Sequence, residues 1–178
     1  MFTLVVGGAA SGKSEYAEQL ILRAGALPRS YVATMAPFGA EARARIARHR
    51  VLRAQKRFET IECPVGLSRV LLPARGAALL ECLSNLAANE LYSPAGAGGE
   101  QAALAAVVDG VESLRRQCEA LVVVTGEVFS GGSAYAGDTG TYLRVLAAAN
   151  RALAARADAV CEVACGLPRY YKGEGAAL

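Results

Sequence analysis

The chain has 178 residues, of which 53% are hydrophobic and 20% charged, and its formal net charge is +3. This length and composition are typical of one globular domain with a single core, and they argue against disorder. The weak positive charge suits a small polyanionic substrate and does not by itself indicate a nucleic-acid partner. We therefore interpret residues 1–178 as one domain.

The sequence gives no sign of a membrane segment or of a metal site built from cysteine and histidine. No apolar run reaches the roughly 18–20 residues that span a membrane, and the first residues lack a signal-peptide pattern. We therefore expect no membrane span and a cytoplasmic location. The five cysteines include no C-x-x-C pair and the chain has one histidine, so reduced thiols are the simpler interpretation.

Short apolar runs alternate with longer helical patterns along the chain. The apolar runs predict strands at 2–6, 30–34, 58–61, 77–81 and 120–125, with a last strand at 159–164. The helical patterns predict helices at 14–23, 40–54, 83–91, 100–118 and 141–155, with a short one at 67–72. Glycine-rich segments at 93–99 and 130–140 are predicted loops.

The order of these elements indicates the fold class. Strands that are apolar throughout and alternate with helices favour an α/β fold, a three-layer sandwich with a mostly parallel central sheet. Ligands of such sheets bind at the carboxyl ends of the strands. We therefore expect the residues that directly follow Val6, Thr34, Glu81 and Thr125 to line one crevice.

A glycine-rich loop lies between the first predicted strand and the first predicted helix. It matches the pattern G-x-x-x-x-G-K-S, with Gly7, Gly8, Ala9, Ala10, Ser11, Gly12, Lys13 and Ser14. Glycines let the backbone curl so that its N–H groups face a phosphate, and the helix N-terminus adds its dipole. Lys13 is expected to reach the outer phosphates, and Ser14 to bind the Mg²⁺ that bridges them. Motif and context together predict a P-loop NTPase-like fold that binds a nucleoside triphosphate such as GTP or ATP.

An acidic residue at the end of a neighbouring strand normally supports this magnesium ion. Glu81 closes the apolar run 77–81 and fits that role. The alternative interpretation is an ordinary solvated acid at a strand end.

The only histidine of the chain lies in a predicted basic helix. Arg45, His49 and Arg53 are spaced i, i+4 and i+8, so they share one helix face, and this face suits a triphosphate. A neutral imidazole there can attack an α-phosphorus and form a covalent nucleotidyl-histidine. On spacing alone, a solvated basic helix with an incidental histidine is the favoured interpretation.

Several segments, in order and with similar spacing, resemble the bifunctional adenosylcobinamide kinase / adenosylcobinamide-phosphate guanylyltransferase family. The resemblance covers nearly the whole chain. The segments that carry it are Gly7–Ser14, Tyr31–Thr34, Arg45–Arg50, Thr60–Glu62, Glu81–Leu83 with Asn85 or Asn89, Thr125–Val128, Asn150–Ala154 with Ala157 and Asp158, and Gly166–Pro168.

The resemblance implies two reactions. A nucleoside triphosphate phosphorylates the aminopropanol hydroxyl of adenosylcobinamide, and GTP then guanylylates a histidine that passes GMP to the cobinamide phosphate. The residue matching that histidine is His49, which makes it the expected nucleophile. The resemblance also implies a homotrimer, and it implies nucleotide contacts at Ala33, Thr34, Met35, Arg50, Val51, Leu52, Arg53, Glu62 and Glu81.

Three departures from the family pattern concern the region that the resemblance places against the corrinoid or the next subunit. Gly126-Glu127-Val128-Phe129-Ser130-Gly131-Gly132 replaces an Asn-Glu-Val-Gly segment, Leu143 and Arg144 stand near an expected Arg-Asp pair, and Phe58 replaces a tryptophan. Three other functions remain open: a kinase without transferase activity, a nucleotide switch, and a member that keeps only the fold. The chain lacks the N-K-x-D sequence with which GTPase switches read guanine.

Overall fold

The computed structural model describes residues 1–36, 56–128 and 137–173. In this part of the chain, a seven-stranded sheet carries helices on both faces. The strands are β1 (Phe2–Gly7), β2 (Arg29–Ala33), β3 (Phe58–Glu62), β4 (Ala77–Glu81), β5 (Ala120–Gly126), β6 (Ala159–Ala164) and β7 (Leu167–Lys172). The helices are α1 (Lys13–Arg23), α2 (Leu83–Tyr92), α3 (Glu100–Gln117) and α4 (Gly137–Arg156), with a 3₁₀ turn at Leu67–Arg69.

The order of the strands is β3-β2-β4-β5-β1-β6-β7. Strands β1 to β6 are parallel to their neighbours, and β7 runs antiparallel to β6. The predicted α/β class and the mostly parallel sheet are therefore confirmed. Parallel neighbours need crossover connections, and the helices that make these crossovers cover the faces of the sheet.

The buried side chains form two clusters, one on each face of the sheet. On one face, α1 packs Tyr16, Ala17, Leu20 and Ile21 against the strands. On the other face, helices α2, α3 and α4 contribute the apolar side chains Leu86, Val107 and Leu146. Each central strand therefore buries both of its faces, which explains why its sequence is apolar throughout.

The prediction that residues 159–164 form the last strand was wrong, because β7 follows it. Cys165 and Gly166 both have positive φ, 52° and 79°, and form the two-residue turn between β6 and β7. Such a turn matches the twist of a hairpin. Pro168 fits on β7 because this strand pairs only with β6 and lies at the edge of the sheet.

Two other element boundaries differ from the prediction. Only Leu67–Arg69 is helical in the segment predicted as a helix at 67–72, and Val70 is already extended. Pro73 disfavours helical backbone at the residue before it, which shortens this turn. The predicted loop at 130–140 was wrong at its end, since α4 begins at Gly137, with Asp138 in the first turn, where a negative charge favours a helix.

The predicted helix at 40–54 lies outside the described residues. Among the helices that the structure describes, none combines the length and apolar character that a membrane crossing requires.

Candidate active site

The glycine-rich loop joins β1 to α1 at the carboxyl edge of the sheet. Its backbone turns through positive φ at Ala10 (56°) and Gly12 (89°). A Cβ atom at Gly7 would lie 2.4 Å from Ser11 Oγ and 2.9 Å from the Val163 carbonyl oxygen, so a side chain does not fit there. The same addition at Gly8 would meet no atom within 4 Å. Glycine is thus required at Gly7 by packing and at Gly12 by backbone conformation.

Neighbouring backbone holds this loop in its curled shape. The Glu127 amide, just after β5, donates to the Gly7 carbonyl oxygen at 3.0 Å, and the Gly166 amide donates to the Ser11 carbonyl oxygen at 2.8 Å. The Lys13 ammonium reaches back across the loop to the Gly8 carbonyl oxygen at 2.9 Å. The loop therefore carries the Lys13 cation across its backbone, and the segments that follow β5 and β6 hold it in place.

Ser14, in the first turn of α1, donates a hydrogen bond to Oε1 of Glu81 at the end of β4. The other carboxylate oxygen, Oε2, accepts a 2.7 Å hydrogen bond from the Tyr31 hydroxyl. Strand β5 lies between β1 and β4, so one strand separates the strand that carries Glu81 from the strand that leads into the loop. The contact forms because α1 crosses above the sheet and carries Ser14 to the end of β4.

The ends of three strands meet in one row of the sheet. Ala33 is paired with Glu62 on one side and with Glu81 on the other. Ala33 is buried on the α1 face, whereas Glu62 is exposed and Met35 half-buried. The Thr34 amide donates to the Glu81 carbonyl oxygen at 3.0 Å. The ends of these three strands thus form one continuous edge of the sheet.

The Thr34 side chain is fully buried. Its hydroxyl accepts a hydrogen bond from the Cys82 amide at 2.7 Å and donates to the Cys82 carbonyl oxygen at 2.8 Å. This hydroxyl therefore joins β2 to the segment after β4.

Asn89, on α2, joins two of the segments that follow the strand ends. Its side-chain amide donates to the Thr34 carbonyl oxygen at 2.8 Å and to the Pro64 carbonyl oxygen at 3.0 Å. The helix α2 thereby ties together the segments that follow β2 and β3.

The Cys82 thiol lies beside the Glu81 carboxylate but is not a reactive thiolate. Burial raises the pKa of the Cys82 thiol, and the Glu81 charge adds to this effect, against hydrogen bonds from the Asn85 and Ser84 backbone. A neutral thiol is a poor nucleophile.

The Ser14–Glu81 pair fits a magnesium ion by the chemistry of its donors. A hydroxyl and a carboxylate are the hard oxygen ligands that Mg²⁺ prefers, and this ion usually takes the rest of its shell from water and phosphate oxygens. Clusters of three or more histidine, cysteine or acidic side chains in metal-binding geometry do not occur among the residues that the structure describes. A two-residue site is therefore consistent with a metal that arrives with the nucleotide.

Several predicted site residues fall outside the described residues. They are His49, Arg50, Val51, Leu52 and Arg53, with Arg45 of the same basic segment. Their predicted roles stay predictions.

Sequence reasoning assigned no role to three residues that the structure brings to this edge: Tyr31, Asn89 and Glu127. A tyrosine inside an apolar strand looks like a core residue, and only the tertiary structure shows that its hydroxyl meets Glu81. For Glu127, the available signal was its position directly after an apolar strand, which is the signal that singled out Glu81.

The family model and two relatives at 32% identity agree on one family. The family model described as cobinamide kinase / cobinamide phosphate guanyltransferase matches residues 3–170. The chain is 32% identical to the bifunctional adenosylcobalamin biosynthesis protein CobP of Pseudomonas aeruginosa, over 98% of this chain and 99% of that protein. It is also 32% identical to the bifunctional adenosylcobalamin biosynthesis protein CobU of Salmonella typhimurium, over 94% and 97% of the two chains. Among solved structures, the flagellar accessory protein FlaH of Methanocaldococcus jannaschii superposes with a TM-score of 0.49 at 11% identity, over 97% of this chain and 78% of that one.

Proposed function

Because the chain belongs to the cobinamide kinase / cobinamide phosphate guanyltransferase family, we propose that it carries out both reactions of that family at one nucleotide site. In the kinase reaction, the aminopropanol hydroxyl of adenosylcobinamide attacks the γ-phosphorus of a nucleoside triphosphate, and the diphosphate leaves. In the transferase reaction, an imidazole nitrogen of His49 attacks the α-phosphorus of GTP, and pyrophosphate leaves. An oxygen of the cobinamide phosphate then attacks the guanylyl phosphorus, which frees His49 and yields adenosylcobinamide-GDP.

The observation that carries this proposal is the curled loop at Gly7–Ser14 together with the Ser14–Glu81 contact. The loop leads into the N-terminus of α1, and the Lys13 ammonium lies across the loop on the Gly8 carbonyl oxygen. Donors fixed before the reaction stabilise the charge that develops on transferred phosphoryl groups. Lys13 exchanges its Gly8 carbonyl partner for phosphate oxygens when the nucleotide binds.

Ser14 and Glu81 are the proposed magnesium ligands. A bound Mg²⁺ would neutralise charge on the phosphates and orient them. Ser14 supplies a hydroxyl oxygen from the first turn of α1, and Glu81 accepts the Ser14 hydrogen bond and supplies a negative charge. The remaining proposed nucleotide contacts are Ala33, Thr34, Met35, Glu62 and the segment Arg50, Val51, Leu52 and Arg53. The Thr34 hydroxyl is bound to Cys82, and its amide and carbonyl are bound to Glu81 and Asn89, so Thr34 would meet a nucleotide by van der Waals contact.

Labelling with GTP that carries ³²P at the α-phosphorus tests the transferase half. After incubation with magnesium and denaturation, the protein should retain GMP in a bond that acid breaks and base does not, as expected of a phosphoramidate. The His49→Asn variant should retain none. Absence of label on the wild-type protein would refute the guanylyl-histidine and favour a kinase without transferase activity.

A coupled assay of diphosphate release with adenosylcobinamide tests the kinase half. We expect the Lys13→Ala variant to lose at least about a hundredfold in kcat, because it removes a donor that acts on the transition state. His49→Asn should keep the kinase rate, and it serves as the matched control. A Lys13→Ala variant with the wild-type kinase rate would refute the proposed role of the loop.

Three further expectations accompany the reaction. The family resemblance supports a homotrimer, the sequence pattern predicts a cytoplasmic location, and the weak net charge supports small anionic substrates over nucleic acid. Light scattering on the eluting protein measures the subunit number directly, and cell fractionation measures the location.

A further inference from the structure

A chain of side-chain contacts runs from the phosphate loop into the core of the sheet. Ser14 on α1 donates to Oε1 of Glu81, and the Tyr31 hydroxyl on β2 donates to Oε2 of the same carboxylate at 2.7 Å. We propose that Tyr31 is the positioning residue that orients Glu81 for the magnesium–nucleotide complex. This inference rests on the proposed role of Ser14 and Glu81 and adds a residue that acts through them.

Tyr31 is well fixed. Its side chain is 4% exposed, and its ring meets the Phe58 ring edge-on, with centroids 5.9 Å apart and planes at 84°. Edge-to-face packing of this kind favours a single ring orientation. The hydroxyl therefore stands at a defined point.

The register of the sheet explains why this hydroxyl reaches Glu81. Tyr31 on β2 is paired with Leu79 on β4, and Glu81 lies two residues further along the same strand. Side chains two residues apart on a strand share a face, so Tyr31, Leu79 and Glu81 all point toward α1. A diagonal contact of this kind is within the reach of a long aromatic side chain.

The physical consequence concerns rotation of the carboxylate. The terminal torsion of a glutamate is broad, so an unrestrained carboxylate samples many orientations. With Oε2 held by Tyr31, Oε1 faces Ser14 and accepts a hydrogen bond from its hydroxyl. The Ser14 oxygen then keeps its lone pairs for a cation on the side of the loop. Losing the Tyr31 hydroxyl frees Oε2 and loosens the orientation of the carboxylate without removing its charge.

The test measures how much magnesium tightens nucleotide binding in the Tyr31→Phe variant. The ligand is GTP with a methylene group between the α- and β-phosphorus, which resists guanylyl transfer, and its Kd is measured by calorimetry with Mg²⁺ and with EDTA. We expect an unchanged Kd in EDTA and a magnesium enhancement reduced by about tenfold, the size of a hydrogen bond to a charged group. The affinity for Mn²⁺ should fall in parallel. It is measured by electron paramagnetic resonance from the loss of the free-ion signal.

Tyr16→Phe is the matched control. Tyr16 lies in the same cluster on the α1 face, is 8% exposed, and pairs its hydroxyl with that of Tyr170 at 2.7 Å. The Tyr16→Phe variant removes the same atom from the same core without touching a carboxylate. Magnesium should therefore tighten nucleotide binding in this variant as much as in the wild type.

The outcomes separate this inference from the magnesium site itself. If Ser14→Ala and Glu81→Gln leave the enhancement unchanged, the magnesium site is wrong and Tyr31 loses its role with it. If those two variants abolish the enhancement while Tyr31→Phe retains it in full, the site stands and the positioning role is refuted. An equal loss in Tyr16→Phe and Tyr31→Phe would also refute it, because the effect would then be general softening of the core.

Discussion

The Gly166 amide donates a 2.8 Å hydrogen bond to the Ser11 carbonyl oxygen, so the turn between β6 and β7 supports the phosphate loop from outside. The contact is close in space as well, since a Cβ at Gly12 would lie 3.0 Å from the Gly166 Cα. The shape of the loop therefore depends on residues more than 150 positions away in sequence.

Gly7→Ala tests the packing of the phosphate loop against β6, with Gly8→Ala as its matched control. An added methyl at Gly7 meets Ser11 Oγ and the Val163 backbone, and that backbone has little freedom to move because it belongs to β6. We expect the free energy of unfolding to fall by about 1–3 kcal/mol in Gly7→Ala and by less than about 0.5 kcal/mol in Gly8→Ala, measured in urea. Equal losses in the two variants would contradict the steric argument.

Asn89→Asp tests the link between the segments after β2 and β3. The amide of Asn89 donates to the Thr34 and Pro64 carbonyl oxygens, and a carboxylate would face both oxygens without a proton to share. Asn89→Ala should cost about 1–3 kcal/mol of unfolding free energy, and Asn89→Asp more. GTP affinity, measured by calorimetry, should fall in Asn89→Asp. The variant loses the hydrogen bonds that hold the segments after β2 and β3 together, next to the row formed by Ala33, Glu62 and Glu81. Equal unfolding free energies for Asn89→Asp and Asn89→Ala would show that these two hydrogen bonds do not stabilise the protein.

Glu90→Ala tests a buried carboxylate with a structural role. Glu90 is 2% exposed and accepts hydrogen bonds from the Gly66 amide at 2.6 Å and the Ala97 amide at 3.0 Å. Its removal leaves two amides without this acceptor, at about 1–3 kcal/mol each, so we expect a large loss of stability in a urea titration. The exposed Glu59 on β3 is the control, and Glu59→Ala should change stability by less than about 0.5 kcal/mol. Similar values for the two would argue against the bonds of Glu90.

The thiols should differ sharply in reactivity at about pH 8, because the thiolate is the reacting form. Burial raises the pKa of Cys118 and of Cys161 to about 11, and burial also raises the pKa of Cys63 and Cys82. Cys165 is exposed in the turn after β6. Native protein should therefore react rapidly with one equivalent of a disulfide reagent, and Cys165→Ser should remove this fast phase. Persistence of the fast phase in Cys165→Ser would contradict the assignment.

The same thiols make stability depend on alkaline pH. In the folded protein the pKa of Cys118 and of Cys161 is raised from 9.0 to about 11, so the unfolded chain loses these protons first as the pH rises. Their contribution is complete below pH 9 and is lost between pH 9 and about 11. Urea midpoints measured across that range should fall with pH, and the fall should be smaller in a Cys118→Ala, Cys161→Ala double variant. A midpoint independent of pH in the wild type would contradict this coupling.

Local pattern was enough to predict the elements whose burial is simple. The strand 77–81 was predicted with the bounds that β4 has, and the helix carrying Tyr16, Ala17, Leu20 and Ile21 was predicted to within one residue. The end of the short helix at Arg69 and the whole of strand β7 were not predicted, because they depend on Pro73, on the two-residue turn at Cys165 and Gly166, and on pairing with β6.

The sequence by itself determined the phosphate loop, the parallel α/β class and the family, because these depend on contiguous residues and on the periodic burial of single elements. Only the tertiary structure decided which distant residues complete the site. The order of the strands sets β5 between β1 and β4, the path of α1 brings Ser14 to Glu81, and the pairing of β2 with β4 brings Tyr31 to the same carboxylate. Such contacts arise from packing between elements far apart in the chain, and no local periodicity encodes them.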